Sequence, residues 1–347
     1  MDLEAIRAEV IPYALPFKDR YESAGGVLER REMVLLRIES GQGAVGLGEA
    51  VPLSLRGGES LATIADELRG WASEPREPSA DLSAPTRCAI ETALLDLEAR
   101  IADLPVWSLL GAGAAQPVEC NATLGAGEPL NVAQRAIEWA GLGFRSFKLK
   151  VGVPGDIDQV ALVRRAVGGE AKLRVDANGA WDPDEAVDQL NAMHEEGRLE
   201  LAEQPCRTLE GLAALRQRVN VPIAADESVA DPEDARRAIK GGACDLATVK
   251  LSKVGGPREA LKVAEVLPVW LSSSLDGPVG IAAAAHTVQA LPESGDAGVA
   301  HGLATQRLFA GTIASRECEL HDGFLQLPDG PGLGIEIDDA ALDRHRL

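Results

Sequence analysis

Two lysines, Lys148 and Lys150, occupy alternate positions in the strand-like stretch 144–152. Side chains alternate between the two faces of an extended strand, so both ammonium groups point the same way. Because like charges held side by side favour the neutral form, we expect the pKa of at least one lysine to be lowered. A lysine of this kind can act as a base near neutral pH. The alternative is a surface strand carrying two solvated lysines.

Three carboxylates come at the ends of the next strand-like stretches, at Asp176, Glu203 and Asp226, and Lys250 ends the one after. In a barrel of parallel strands, all these ends meet at one mouth. Three converging carboxylates are strongly unfavourable without a cation between them. Oxygen ligands suit a hard ion, Mg²⁺ first, with Mn²⁺ as a substitute. Any single carboxylate could instead cap a helix, but together they predict a metal site.

A regular alternation of short strands and helices from residue 118 onward positions these groups. The strand candidates are 118–124, 145–151, 172–176, 199–203, 221–225, 245–250 and 269–273, and the helix candidates are 129–141, 156–168, 183–196, 208–218, 232–241, 256–266 and 278–291. Such alternation predicts a parallel sheet with helical crossovers. An eighth strand near 298–303 would favour a closed barrel over an open sheet.

Residues 1–85 are predicted to form a small α+β unit, with strands at 33–39 and 44–49 and a helix around 61–71. A single helix is predicted over 86–110. Two loops, at 23–26 and 52–58, are either ordinary connections or a lid. The glycine-rich segment 319–347 breaks the strand–helix rhythm, and we expect it to pack back against the N-terminal unit.

Composition excludes several classes of protein. The net charge of −20 disfavours nucleic acid and anionic membranes as partners, although a metal or lysines can make a pocket attractive to a small carboxylate. No apolar run reaches the ~18 residues needed to span a membrane, and no signal-peptide pattern opens the chain, so a cytoplasmic protein is expected. Five dispersed cysteines predict buried free thiols, and the five histidines lack ligand spacing.

Five motifs recur at the predicted strand ends, between 23 and 27 residues apart: Lys148-x-Lys150, Asp176-Ala177-Asn178, Glu203-Gln204-Pro205, Asp226-Glu227-Ser228 and Lys250-x-x-Lys253-x-Gly255-Gly256. As a set they resemble the enolase superfamily, in its muconate-lactonising subgroup. The resemblance runs over nearly the whole chain. It implies a modified TIM barrel, (β/α)7β, over 86–318, with a capping domain formed by 1–85 and completed by 319–347.

The resemblance also implies a role for each residue. Asp176, Glu203 and Asp226 match the three Mg²⁺ ligands. Lys150 matches the base that abstracts the substrate α-proton, Lys148 tunes that base, and Lys250 matches the lysine on the opposite face of the substrate. The remaining implied residues are Asn178 and Glu227, which would orient the metal ligands.

The predicted loop after the seventh strand, 271–280, contains Ser272, Ser273, Ser274 and Gly277. Its small residues and free amides before a helix would suit a substrate carboxylate, although an ordinary loop has the same composition. It resembles the substrate loop of o-succinylbenzoate synthases, and His301-Gly302-Leu303-Ala304-Thr305 resembles a segment of their actinobacterial branch. The implied activity is Mg²⁺-dependent dehydration of 2-succinyl-6-hydroxy-2,4-cyclohexadiene-1-carboxylate, through a metal-stabilised enediolate, in menaquinone biosynthesis.

Four alternatives stay open. N-succinylamino-acid racemase would use a nearly identical pocket, with Lys150 and Lys250 as bases on opposite faces. Muconate cycloisomerase fits the same motifs but suits the serine-rich loop less well. Dipeptide epimerases usually carry Asp-x-Asp where this chain has Gly302-Leu303-Ala304. A non-catalytic barrel that binds metal and a dicarboxylate is disfavoured by the presence of both lysines.

Overall fold

The computed structural model describes residues 6–23, 26–53 and 57–347. Parts of the two predicted loops, residues 24–25 and 54–56, lie outside this described part. The N-terminal elements are β1 (Arg7–Ser23), β2 (Gly26–Glu39), β3 (Val45–Ala50), α1 (Leu61–Ser73), α2 (Ala84–Ile101) and α3 (Val106–Leu109). The three strands form an antiparallel sheet in the order β1-β2-β3. The α+β prediction is confirmed, although β1 had no predicted counterpart.

The predicted single helix over 86–110 is wrong, because the chain breaks between α2 and α3. Asp103 adopts a left-handed φ of 55° just after α2 ends at Ile101. Pro105 follows and immediately precedes the short helix α3. Proline lacks the N–H that a continuous helix needs at that position, and it disfavours helical backbone in the residue before it.

The elements that follow are β4 (Val118–Glu119), β5 (Asn121–Leu124), α4 (Pro129–Gly141), β6 (Ser146–Lys150), α5 (Asp156–Val167), β7 (Lys172–Asp176), α6 (Pro183–Gly197), β8 (Leu199–Glu203), α7 (Leu209–Arg216), β9 (Ile223–Ala225), α8 (Pro232–Gly241), β10 (Leu246–Val249), α9 (Leu251–Val254), α10 (Pro257–Ala264), β11 (Val269–Leu271) and α11 (Pro278–Gln289). Strands β5 to β11 form one parallel sheet in sequence order. The predicted strand–helix alternation is confirmed, and Asp182 and Asp231 cap α6 and α8 as their sequence signals predict.

Closure of the sheet depends on a very short eighth strand. Near 298–303 the chain makes single parallel bridges, from His301 to Cys120 on one side and from Gly302 to Ser272 on the other. The His301 ring supports this closure, because the Leu271 N–H donates to its Nδ1 at 3.0 Å. A Cβ at position 302 would lie 2.4 Å from the Ser272 Oγ, so the close approach requires glycine. The chain therefore forms the modified TIM barrel with a capping domain that the sequence predicts.

The C-terminal elements are a 3₁₀ helix (Ala304–Leu308), β12 (Ala314–Arg316), β13 (Glu319–His321), β14 (Phe324–Gln326), β15 (Glu336–Ile337) and α12 (Asp339–His345). Strands β13 and β14 extend β4 into a small antiparallel sheet. The chain then reaches the capping sheet, where the Leu347 N–H donates to the Pro12 carbonyl at 3.0 Å. The domain bounds at 85 and 318 stay a prediction, since α2 packs on both β3 and α9.

The remaining expectations concern the cysteines and membrane-spanning helices. All five cysteines are buried free thiols, as predicted. Among the residues that the structure describes, no helix has the length and apolar character needed to cross a membrane.

Candidate active site

Parallel register brings the first predicted site residues together at the carboxyl ends of β6, β7 and β8. Lys150 is paired with Asp176 across β6 and β7, and Asp176 with Glu203 across β7 and β8. Asp226 follows the end of β9, and Lys250 follows β10. Because carboxyl ends of parallel strands share one side of a barrel, all five lie at a single mouth.

Lysine ammonium groups contact each of the three carboxylates, which are fully buried. The Lys148 Nζ lies 2.7 Å from the Glu203 Oε2 and 2.9 Å from the Asp176 Oδ2. The Lys150 Nζ donates to the Asp176 Oδ2 at 2.6 Å, and Lys250 donates to Asp226. The contacts therefore form two buried ion clusters, one of Lys148, Lys150, Asp176 and Glu203 and one of Lys250, Lys253 and Asp226. The charges of the two clusters also act on each other.

We expected a lowered pKa for at least one of the two lysines, and Lys148 is not that lysine. Burial alone would lower the pKa of Lys148, but the carboxylates of Asp176, Glu203 and Asp226 outweigh burial and hold it well above its ordinary value. The expectation considered only repulsion between the two lysines. The carboxylates are closer partners, so Lys148 is a fixed positive charge beside Lys150.

The same network separates the pKa values of two carboxyl groups. Burial opposes ionisation of Asp176, but Lys148 and Lys150 hold its pKa below the ordinary value. The pKa of Glu203 is raised, by burial first and then by the charge of Asp176. Ionised Glu203 is therefore the costlier of the two charges, and an additional cation near it would lower that cost.

The donor set suits a hard divalent cation. Asp176, Glu203 and Asp226 supply only carboxylate oxygens, which are the ligands preferred by Mg²⁺. Within residues 6–23, 26–53 and 57–347, however, no group of three or more His, Cys, Asp and Glu side chains has the arrangement found around a metal ion. Ammonium groups contact the carboxylates in this arrangement, so binding a cation requires those lysines to move.

Asn178, expected to orient a metal ligand, contacts both the predicted base Lys150 and the predicted ligand Asp176, and Glu227 contacts Asn178. The Asn178 Oδ1 accepts a hydrogen bond from the Lys150 Nζ at 2.7 Å, and its Nδ2 donates to the Glu227 Oε1 at 2.9 Å. The Asn178 N–H also donates to the Asp176 Oδ1 at 3.1 Å. This chain of contacts fixes the direction of the Lys150 ammonium group, as well as one oxygen of Asp176.

A cavity of about 710 Å³ opens above the network. Its lining comprises Tyr21, Arg31, Leu53, Thr123, Lys148, Lys150, Asn178, Gly179, Ala180, Gln204, Arg207, Glu227, Lys250, Ser272, Ser273, Ser274, Leu275 and Thr305. The three predicted serines are in this lining. Gly277 is not among the lining residues. Its N–H donates to the Oε1 of Glu49, a residue of the capping domain, at 2.7 Å. The amide that we expected to meet a substrate carboxylate already has an intramolecular carboxylate partner.

Sequence reasoning assigned no role to several residues of the site. The Lys253 Nζ donates to the Asp226 Oδ1 at 2.9 Å, and its position three residues after Lys250 on α9 was the available signal. The Gln204 Oε1 accepts from the Asp226 N–H at 2.7 Å, which fixes the start of that loop. The cavity arginines Arg31 and Arg207 come from β2 and from the loop after β8, and no spacing pattern marked them.

Two family models match the chain. The model of the mandelate racemase / muconate lactonizing enzyme N-terminal domain matches residues 5–111, and the enolase C-terminal domain-like model matches residues 131–341. Together the two models span the capping sheet and most of the barrel. The chain belongs to the enolase superfamily.

Individual relatives cover several activities. The hydrophobic dipeptide epimerase of Enterococcus faecalis is 35% identical over 92% of this chain and 96% of its own length. The o-succinylbenzoate synthase of Mycolicibacterium smegmatis is 43% identical, but over 50% of this chain and 54% of its own length. Membership of the superfamily therefore does not fix the reaction.

Solved structures give the same range. The dipeptide epimerase from Enterococcus faecalis V583, complexed with Mg and the dipeptide L-Leu-L-Tyr, has a TM-score of 0.86 and 32% identity, covering 96% of this chain and 99% of that one. The muconate lactonizing enzyme from Pseudomonas fluorescens, complexed with muconolactone, has a TM-score of 0.90 and 27% identity, covering 99% of this chain and 100% of that one.

Proposed function

We propose that this chain is an o-succinylbenzoate synthase, a hydro-lyase that dehydrates 2-succinyl-6-hydroxy-2,4-cyclohexadiene-1-carboxylate in menaquinone biosynthesis. The positive lining of the cavity is the observation that carries the proposal. Five basic side chains, Arg31, Lys148, Lys150, Arg207 and Lys250, face one acidic side chain, Glu227, among the described lining residues. Such a lining favours a small molecule with two carboxylates.

The charge balance of the site agrees with a dianionic substrate. The three buried carboxylates face four lysines, which leaves one net positive charge. A divalent cation would raise this to three, and a neutral Lys150 ready to accept a proton would lower it to two. The two carboxylates of the proposed substrate balance the remaining charge of these lysines, carboxylates and cation, which lowers the cost of burying it. Arg31, Arg207 and Glu227, which also line the cavity, add one further net positive charge.

Asp176, Glu203 and Asp226 would hold Mg²⁺, which supplies stabilisation for the negative charge that develops on the substrate carboxylate. Mn²⁺ is a possible substitute, because it accepts the same oxygen ligands. Lys253, hydrogen-bonded to Asp226, the Asp226 carbonyl and the Thr248 carbonyl, would keep the third ligand in place.

In the proposed reaction Lys150 accepts the proton from the ring carbon that bears the carboxylate, and the C–H electron pair moves onto that carboxylate. The pair then returns to form the new ring double bond to the neighbouring carbon. The C–O bond at the neighbouring carbon then breaks. The Lys150 ammonium group returns its proton to the departing hydroxide, so that water leaves and the ring becomes aromatic. Asn178 orients Lys150 through its Oδ1, and the fixed charge of Lys148 favours the neutral, proton-accepting form of Lys150.

Lys250 would act from the other side of the cavity, because β6 and β10 are separated by three strands of the barrel. There it contributes positive charge to the intermediate, through electrostatics or a cation–π contact with the ring. This role needs a cation but no proton transfer. In a racemase, by contrast, the same lysine must deliver or remove a proton.

Lys250→Arg tests this difference. Arginine keeps the positive charge but stays protonated, so we expect racemisation to be lost while part of the dehydration is retained. Measurement of kcat for both reactions in the same preparation checks the expectation. Equal loss of both activities would show that Lys250 serves only to hold Asp226 or to shape the cavity.

Two other activities are supported by specific observations. N-succinylamino-acid racemisation also uses a dianion, so the positive lining fits it equally well. Dipeptide epimerisation is favoured by the long match to the Enterococcus faecalis enzyme. A dipeptide carries an ammonium group, however, and Gly302, Leu303 and Ala304 offer no side-chain carboxylate to bind it. Muconate cycloisomerase and a non-catalytic dicarboxylate-binding barrel have weaker support.

Three parallel assays with Mg²⁺ test the proposal: dehydration of the cyclohexadiene substrate, racemisation of an N-succinylamino acid and epimerisation of L-Ala-L-Glu. We expect a high kcat/KM for dehydration and values at least ~100-fold lower for dipeptides, whose ammonium group would lack a buried partner. Comparable racemisation would indicate a bifunctional enzyme. Efficient epimerisation without dehydration would replace the proposal by a dipeptide epimerase.

A further inference from the structure

Leu275 is one of three non-glycine residues with left-handed φ among the described lining residues of the cavity, and the capping domain holds the chain on both sides of it. Leu275 has a left-handed φ of 65°, which is rare and strained for a bulky side chain. Its side chain is buried and lines the cavity. Such a conformation persists only where neighbouring contacts fix it.

The first contact comes from β2. The Arg31 Nη2 donates to the Ser274 carbonyl at 2.9 Å and to the Pro52 carbonyl at 2.6 Å. Because one guanidinium nitrogen holds both carbonyls, the residue before Leu275 is tied to the chain that follows β3. Arg31 is itself buried, so water competes weakly for these hydrogen bonds.

The second contact comes from β3. The Glu49 Oε1 accepts from the Gly277 N–H at 2.7 Å, and the Oε2 accepts from the Tyr13 hydroxyl at 2.7 Å. A Cβ at position 277 would lie 2.3 Å from the Tyr13 Oη, so this approach requires glycine. Glu49 thus holds the chain two residues after Leu275, at the start of α11, where a negative charge is favourable.

We propose that Arg31 and Glu49 form a two-point clamp, by which the capping sheet holds residues 274–277 and fixes Leu275 in the cavity wall. Glu49 is then a positioning residue for substrate affinity, although it does not line the cavity. The serine segment keeps its own turn, in which the Ser274 N–H donates to Asp276 and the Asp276 N–H to the Ser273 Oγ. The clamp sets the position of that turn relative to the barrel mouth. This extension rests on the proposed function for its kinetic test alone.

Backbone exchange provides a test that needs no substrate. In Glu49→Ala, amide hydrogen–deuterium exchange of residues 272–280 should accelerate roughly tenfold, because the Gly277 N–H loses its buried carboxyl acceptor. Glu49→Gln should exchange like the wild type, since its amide oxygen can still accept from Gly277. Glu39→Ala, at an exposed glutamate on β2, is the matched control. Wild-type exchange of this segment in Glu49→Ala would overturn the clamp.

Kinetics with the proposed substrate separate positioning from catalysis. We expect Glu49→Ala to raise KM roughly tenfold with kcat changed less than about threefold, and Glu49→Gln to restore KM. An unchanged KM together with faster exchange would overturn the role in affinity.

If the wild type turns over none of the three substrates, the proposed function fails while the exchange result still decides the clamp. If Glu49→Ala does not fold, Glu49→Asp, whose side chain is one methylene shorter and withdraws the carboxyl from the Gly277 N–H, must accelerate exchange in the same segment.

The protonation of Glu49 should also affect how the free energy of unfolding depends on pH, which gives an independent test. Burial, and then the charge of Asp276, raise the pKa of Glu49 to about 7, while the Tyr13 hydroxyl and two backbone N–H groups oppose the rise. The pKa of Asp276 is raised in the same way, by burial first. The other titratable or charged groups facing this pair are Arg31 from β2, Cys88 from α2 and Lys250 beyond β10.

Because the pKa of Glu49 is raised in the folded protein, we expect the free energy of unfolding to fall as pH rises. Between about pH 4.5 and 7 the unfolded chain has already released the Glu49 proton while the folded protein retains it, so raising the pH favours unfolding. Glu49→Gln carries no such proton, and its slope of stability against pH in this window should be shallower. Urea unfolding at several pH values measures both slopes. Equal slopes would show that Glu49 is already ionised throughout the window.

Discussion

Lys150→Ala should lower kcat by roughly 10³–10⁴-fold, whichever α-proton is removed, while the fold remains intact. The physical reason is that Lys150 is the lysine held by Asn178 on one side and Asp176 on the other, with the fixed charge of Lys148 beside it. Under the proposed mechanism, alanine removes the atom that accepts the proton. In the metal-free protein Lys148 is a poor substitute, because Asp176, Glu203 and Asp226 outweigh burial and hold its pKa well above the ordinary value.

Two measurements distinguish loss of the base from loss of structure. Steady-state kcat reports the reaction, and solvent deuterium incorporation at the substrate α-carbon reports proton abstraction even where no product leaves. Circular dichroism and urea unfolding follow the fold. Lys172→Ala removes an exposed lysine at the start of β7 and should leave all these quantities unchanged. Turnover of Lys150→Ala at the wild-type rate would exclude Lys150 as the base.

Sequence patterns predicted the barrel well where local signals were strong. Asp182-Pro183 and Asp231-Pro232 start two helices at the expected residues, because capping and proline geometry depend on neighbouring residues alone. Strand β1 gave no such signal, since Pro12 and Pro16 interrupt it. It tolerates them because it lies at the edge of its sheet, where the ladder on one side is not needed. The predicted eighth strand consists of two isolated bridges in the structure, because it forms through closure of the barrel and not through local strand preference.

The candidate site shows the same difference between features that local sequence signals predict and features that depend on tertiary contacts. Lys150, Asp176 and Glu203 lie side by side because strand ends in register are a property of the βα repeat. Arg31 and Glu49 reach the barrel from a separate sheet, and their partners, Ser274 and Gly277, are more than 200 residues away in the chain. No spacing rule links such positions. For this reason the sequence did not reveal that the Gly277 N–H has Glu49 as its partner. The raised pKa of Lys148 could not be predicted either, because it depends on carboxylates from other strands.

Asp226→Asn should weaken Mg²⁺ binding by at least roughly 100-fold, because it removes one of three anionic ligands while preserving the shape of the side chain. Isothermal titration with Mg²⁺ measures this without substrate, and titration with Mn²⁺ followed by electron paramagnetic resonance gives a second signal. Asp188→Asn, at an exposed position on α6, is the matched control. An unchanged titration would remove Asp226 from the ligand set.

The same substitution should also destabilise the metal-free protein, which separates Asp226 from an ordinary ligand. Lys250 and Lys253 are both buried, and both donate to the Asp226 carboxylate. Removing the charge of one partner in a buried ion network costs about 3–5 kcal/mol, because the other charges stay in a poorly solvating environment. Urea unfolding in the presence of a chelator should show this loss. If Mg²⁺ binding weakens and stability does not change, the lysines must leave Asp226 for other partners, and the charge network would be more plastic than its buried geometry indicates.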